Sequence, residues 1–415
     1  VNTKGRDHSN RPHVGGSVGS ALRVRSVRLV IVAALGSGIG TWIQNLVLPV
    51  YVYDRTRSAT AVAVIGFAQL GPYLFISLPA AALIDSLKRR SWLLSTQLLM
   101  LVGSVLLSLA VASEAALVWL FLAQLVVGIG NALDRPAWTA MLPSLVSADN
   151  LGGISALNGL VINSSRILGP LIVAVLAPLN LATWHFFLGN AITYLFVMAA
   201  LVSVSLPEIE LMAPSPWKNF ASAVCIIAKS PELRRLVVSI SAFSFVSLTY
   251  IGLFPAITSH IYSIEGRSIT YKWLYAVWAL GAGIGGLAIG TFLGGRDMRR
   301  AVQIGFLVTM IGLGGIGLSS AESAAFVFFF VVGFGYFLAT TAMTAVLQTY
   351  LAPHERGRVL AIWFMCFGGV VPLGTLTFGA FVDSFGARWL VLLGATVSGV
   401  LAYWCDLVRV AQRAE

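Results

Sequence analysis

Apolar residues run along this chain in long stretches separated by short polar gaps. The stretches cover 27–53, 61–84, 92–112, 116–134, 154–178 and 182–206, then 235–262, 272–295, 301–320, 323–342, 358–382 and 388–408. Each is roughly 20 residues or longer, the length a helix needs to cross a bilayer core. The pattern predicts about twelve transmembrane helices and an all-α membrane protein, because only helices and closed barrels satisfy their backbone inside lipid. One gap is longer than the rest. Residues 207–234 carry prolines at 207, 214, 216 and 231 around Trp217-Lys218-Asn219-Phe220 and Cys225-Ile226-Ile227. This reads as a linker holding one amphipathic surface helix. Residues 1–26 are polar and basic, with no short apolar core before a cleavage site. They are expected to form a disordered tail rather than a signal peptide, and residues 409–415 a second tail.

The apolar stretches fall into two related halves, 27–206 and 235–408. Gly128 and Gly169 recur as Gly333 and Gly374, each 205 residues later, and Leu188-Gly189 recurs as Leu393-Gly394 at the same offset. Pro49 recurs as Pro255, 206 residues on, and Arg89-Arg90 as Arg299-Arg300, 210 residues on. A duplicated unit of six spans places a binding site where the halves meet, near the bilayer midplane.

Composition agrees with the pattern. Hydrophobic residues make up 58% and charged residues 10%, against about 25% charge in a soluble domain. The net charge of +11 would suit nucleic acid, but the basic residues sit in the gaps between apolar runs, as topology signals do. Of the 27 Lys and Arg, 21 fall on the side of the N-terminus and five on the other side (Arg55, Arg57, Arg267, Lys272 and Arg388); Arg166 lies within a span. Both termini and the linker are therefore expected in the cytoplasm, in an inner membrane crossed many times. Three cysteines without CxxC spacing and five scattered histidines give no disulfide framework, metal site or cofactor motif. No nucleophile–base pair suggests an enzyme.

Polar groups at membrane depth are the candidates for a substrate path. Arg166 is a charge inside a span, which costs about 2.5–3.5 kcal/mol on insertion scales. Gln44, Asn45, Gln69, Gln124, Asn158 and Asn163 either line the same cavity or hydrogen-bond between helices. Tyr250, Trp278, Tyr336 and Trp363 are the second half's aromatic candidates, and packing is the other reading for each. The expected cavity is lined by the first, fourth and fifth spans on one side and the seventh, eighth, tenth and eleventh on the other. Gly169-Pro170 predicts a kink and a close helix approach in the fifth span. The apolar run of the fourth span gives out near Leu133, and a polar hinge is expected there. Asp134 then falls near a span end, and no acidic residue is expected at the centre of any span. A fixed cation without a central carboxylate favours a neutral or anionic substrate over a cationic one.

Several stretches carry a resemblance. Ala81-Ala82-Leu83-Ile84-Asp85-Ser86-Leu87-Lys88-Arg89-Arg90 is similar to the loop motif G-x-x-x-D-R-x-G-R-R of the major facilitator superfamily, with Asp85, Arg89 and Arg90 matching. Ala81, Ser86 and Lys88 depart from it. Gly40 to Asn45 with Leu48-Pro49, Ala132-Leu133-Asp134-x-Pro136-Ala137 with Leu142-Pro143, Ala156-Leu157-Asn158, Asn163-x-x-Arg166-x-Leu168-Gly169-Pro170, Arg356-Gly357-Arg358-Val359 and Pro372-Leu373-Gly374 resemble the enterobactin-exporter-like branch, which includes siderophore and drug exporters. Trp138 replaces a common Arg, and Val173-Ala174 a common Gly pair.

The resemblance implies a monomeric secondary transporter that exports a small organic molecule by alternating access, with protons as the coupling ion. It also implies a gate in which Asp85 meets the start of the eleventh span near Gly357 while Arg89 or Arg90 approaches Asp134. Uptake, lipid flipping or a non-transporting sensor remain open on the same fold. The charge asymmetry makes a topology prediction: cysteines introduced at 57 or 267 should react with an impermeant thiol reagent on whole cells, and those at 88 or 218 should not.

Overall fold

The computed structural model describes residues 17–76, 88–206, 216–291, 297–352 and 355–406, and all regular elements among them are helical. Among the described residues twelve helices are long and apolar enough to cross a membrane. The first six are Arg25–Thr56, Ala59–Ile76, Arg89–Ala112, Leu117–Leu145, Leu151–Leu179 and Thr183–Ser203. The second six are Pro231–Gly252, Ile269–Ile289, Met298–Leu318, Glu322–Thr349, Arg356–Phe385 and Ala387–Trp404. They are called the first to twelfth spans below. The face on which the first span starts is the near face, and the face on which it ends is the far face.

Three boundaries differ from the sequence expectation. The fourth helix does not stop near Leu133 but continues through Pro136 to Met141, followed by a 3-10 turn over Leu142–Leu145. The tenth continues in the same way to Thr349. Asn131, Asp134, Arg135 and Trp138 stand at i, i+3, i+4 and i+7, one stripe of a helix. The apparent hinge is a helix whose polar side faces a cavity. The expected tail over 1–26 is also not wholly unstructured. Val18–Arg23 forms a short helix capped by Ser17, and Ser20 Oγ donates to Asn150 Oδ1 at 2.7 Å beside the fifth span. Residues 1–16, and the expected C-terminal tail, lie outside the described residues.

The linker does contain a helix, Pro216–Lys229. It packs against the start of the eleventh span, where Arg358 Nη1 donates to Ser222 Oγ at 3.0 Å. Two spans of the second half are irregular. The seventh contains a π turn at Phe243–Ser247, and its chain runs on through a second helix, Phe254–Tyr262, with Pro255 in its first turn. The eleventh contains a π turn at Met365–Gly369, which packs on the first one.

Residues one repeat apart make equivalent contacts. A Cβ on Gly128 would lie 2.3 Å from the Ala68 carbonyl of the second span, and one on Gly333 2.3 Å from the Trp278 carbonyl of the eighth. A Cβ on Gly169 would lie 2.7 Å from Trp42 Cβ and 3.1 Å from the Ile39 carbonyl of the first span, and one on Gly374 2.0 Å from the Phe245 carbonyl of the seventh. Only hydrogen in place of a side chain permits these backbone approaches.

The halves meet along two seams, the second span on the eleventh and the fifth on the eighth. At the far face, polar links cross between them. Asp383, at the end of the eleventh span, caps the second. It accepts from Ala59 N at 2.6 Å, Thr60 N at 3.0 Å, Ser58 Oγ at 2.8 Å and Thr60 Oγ1 at 2.7 Å. The carboxylate thus lies at the positive end of a helix dipole with its acceptors satisfied. Arg267 Nε meets the buried Asp54 at 3.0 Å, and Arg57 meets Glu265 at 3.5 Å. The exposed Arg57 pair contributes at most about 1 kcal/mol, so the Asp383 cap is the stronger clasp. Asp383→Ala is expected to weaken the far-face seam by about 1–2 kcal/mol, roughly a tenfold shift toward separated halves. Spin labels on Ser113 and Ala321, exposed far-face positions in the two halves, would report this as a longer-distance population.

Candidate functional site

A cavity of about 190 Å³ lies in the near half of the bundle. Its wall comes from the first, third, fourth, fifth and sixth spans, and includes Ser37, Thr41, Trp42, Gln97, Asn131, Asp134, Asn158, Arg166 and Tyr194. The expected lining is corrected here: the third and sixth spans contribute, and the wall belongs to the first half. A larger groove, about 660 Å³, runs along the outer far ends of the eleventh and twelfth spans between Phe381, Phe385, Trp389 and Leu393. Its exposed apolar walls suit hydrocarbon rather than a polar ligand.

Asp134 sits well inside the extended fourth span and faces the cavity, which corrects its placement near a span end. Thr96 Oγ1 donates to its Oδ1 at 2.8 Å and Gln97 Nε2 donates to the same atom at 2.9 Å. Both partners are neutral, and among the described residues no cation lies within ion-pair distance of the carboxylate. The expected Arg90 contact is not made, since Arg90 instead donates to the Val204 carbonyl at the end of the sixth span. Arg89 opens the third span and Gly357 lies in the first turn of the eleventh. Asp85, the other member of the expected gate, lies outside the described residues.

Arg166 is 8% exposed and lines the cavity. Its guanidinium carbon is 3.6 Å from the Phe337 ring centroid and 5.1 Å from that of Trp42. Nη1 donates to Asn163 Oδ1 at 3.2 Å. Phe337 belongs to the tenth span, so this cation–π contact bridges the two halves; a desolvated one is worth about 2 kcal/mol. Asn158 shares the cavity wall. The fifth helix continues unbroken through Pro170, and Gly169 lets it close on the first span.

Gln44, Asn45, Gln69 and Gln124 bond between helices away from this cavity. Gln44 and Gln124, 2% and 0% exposed, do not line the cavity. Gln44 Nε2 donates to Gln124 Oε1 at 2.8 Å, while Asn190 Nδ2 and Ser104 Oγ donate to Gln44 Oε1 at 2.7 and 3.3 Å. This network ties the first, third, fourth and sixth spans. Asn45 accepts from Gln69, tying the first span to the second. In the second half Trp278 Nε1 donates to Tyr250 OH at 2.9 Å, and both rings are buried with Phe254 and Tyr275. Trp363 is buried and donates to Thr344 Oγ1 at 3.2 Å. Tyr336 packs on Phe337. None of these four aromatics lines the cavity. Sequence reasoning missed Thr96, Gln97, Ser104, Asn190 and Asp383. The first four were legible as polar residues within apolar runs, and Asp383 as an acid ending a span.

Two six-span halves, joined along the second–eleventh and fifth–eighth seams around a polar cavity, define a transporter of the major facilitator class. The chain belongs to the transmembrane secretion effector family of that superfamily, whose sequence profile matches residues 17–413. It is similar to macrolide efflux protein A of Streptococcus pyogenes, 23% identical over 384 residues that cover 88% of this chain and 92% of that protein. It is also similar to the enterobactin exporter of Shigella boydii, 22% identical over 338 residues covering 81% and 80%. In fold it resembles the inward-facing, unoccupied structure of a bacterial homologue of the lysosomal transporter Spinster. That match has a TM-score of 0.71 at 14% identity and covers 92% of this chain and 97% of that one. The relatives and the fold are those of transporters, not enzymes.

Gln44→Ala would leave the Gln124 carbonyl and the Asn190 amide without their shared partner, at a cost of about 1–3 kcal/mol. A lower unfolding temperature in detergent is expected for it, and almost none for Asn158→Ala, whose side chain faces the cavity.

Proposed function

We propose that the protein exports small organic molecules from the cytoplasm by alternating access, in exchange for protons. The observation that carries this reading is a polar cavity containing Asp134 in the near half of a bundle clasped at its far face. The near face carries the excess of Lys and Arg and is therefore assigned to the cytoplasm. The state described is then the loading state of an exporter, and the efflux names of the relatives support that direction. Asp134 is assigned as the coupling acid. Its donors are neutral and no ion pair within 4 Å holds it among the described residues, so gain and loss of a proton change the cavity's charge without breaking an ion pair. Opening to the outside would release the Asp383 cap and the Asp54–Arg267 pair. A single chain contains both halves and the cavity, so the monomer is assigned as the working unit.

The test is transport in proteoliposomes with an imposed pH gradient, using erythromycin, ethidium and fluorescein as trial substrates and internal pyranine to report proton movement. Export coupled to proton entry is expected. Asp134→Asn should cut gradient-driven transport by about tenfold or more while leaving substrate exchange without a gradient. Transport that ignores the pH gradient, or full activity in Asp134→Asn, would overturn the coupling; net uptake in the opposite sense would overturn the direction.

A further inference from the structure

The first-half cavity contains a permanent cation with no carboxylate in contact with it among the described residues. Arginine stays charged at any physiological pH. Arg166 is more than nine-tenths buried, yet no carboxylate lies within 4 Å of it among the described residues. Asp134 shares the cavity wall with Arg166 but lies beyond ion-pair distance of it. Among the described residues the guanidinium makes one hydrogen bond, Nη1 to Asn163, and Nε has no acceptor. Aromatic rings contact it from both halves. A buried charge held in this way is costly, and removing it from water is compensated best by a counter-ion.

We propose that this counter-ion is supplied by the substrate. The cavity takes a flat organic anion whose carboxylate pairs with Arg166 and whose ring system lies against Trp42 and Trp138, both of which line the wall. This rests on the transport reading above and narrows its substrate to one charge class. Guanidinium and carboxylate match in planar, two-bond geometry, and the N–H groups at the Nη end that Asn163 leaves unused supply the donors. Arg135 adds a second positive charge to the wall, and the Thr96 and Gln97 bonds hold one Asp134 oxygen away from the ligand. The contact with Phe337 makes Arg166 a mechanical element as well. An anion drawn to it loads the point at which the fifth span touches the tenth, so binding is felt across the seam between the halves.

The experiment measures binding to the purified full-length protein at pH 7.5 by fluorescence anisotropy, with fluorescein as the anionic probe and rhodamine 6G as a cationic probe on the same xanthene core. Fluorescein is expected to bind wild type about tenfold or more tightly than rhodamine 6G. Arg166→Gln should weaken fluorescein about tenfold or more and leave rhodamine 6G within about twofold, while Arg166→Lys should retain part of the preference. Equal affinities, a preference for rhodamine 6G, no fluorescein binding, or equal losses of both probes in Arg166→Gln would overturn the proposal. Should Arg166→Gln fail to fold, the wild-type preference and the Lys variant decide. The outcome is separable from the transport reading. Anion-selective binding without gradient-driven transport would sink only the latter, and coupled transport without anion selectivity only the former.

Discussion

Helix association in a bilayer has no hydrophobic drive, because lipid tails are as apolar as the side chains they would replace. What holds this bundle is close backbone contact at glycine together with hydrogen bonds between spans. Gly128 and Gly333 seat the fourth span on the second and the tenth on the eighth, while Gly169 and Gly374 seat the fifth on the first and the eleventh on the seventh. A methyl group at any of these positions would meet a carbonyl or backbone atom at roughly 2–3 Å. The position of Arg166 follows from this, since Gly169 sits one turn away and sets how closely the fifth span packs on the first.

The two halves spend their polar residues differently. In the first half, Gln44, Gln124, Ser104 and Asn190 satisfy one another in the interior, and a separate polar stripe wets the cavity. In the second half the corresponding volume is filled by Tyr250, Phe254, Tyr275, Trp278 and Phe329. One half is built to meet water and charge, and the other to present a stiff aromatic face. Arg166 on Phe337 is where the two meet.

The twelve helices, the spacing of the repeat and the isolated charge of Arg166 were legible in the sequence, because hydropathy and spacing are one-dimensional signals. The roles of the membrane-depth amides were not. Gln44 and Asn158 are alike in sequence, both amides within apolar runs, and whether each meets a partner or a cavity depends on helix rotation and on which neighbours approach. Asp134 was placed near an end because polar residues crowd around it. They crowd on one helical stripe, which reads as a break only when periodicity is ignored. Asp383 is one of several acids near span ends, and nothing local to it indicates that the second span starts beside it.

The π turn at Phe243–Ser247 bears on the history of the two halves. A π turn accommodates one residue more than an α turn, and an extra residue in a plain α-helix rotates everything beyond it by about 100°. A π turn holds such a residue in a local swelling of the seventh span. The flanking segments keep their facing, and Gly374 still meets the backbone at Phe245, within the turn itself. A duplicated gene can diverge in length inside a transmembrane helix without losing its packing, provided the insertion is absorbed in this way.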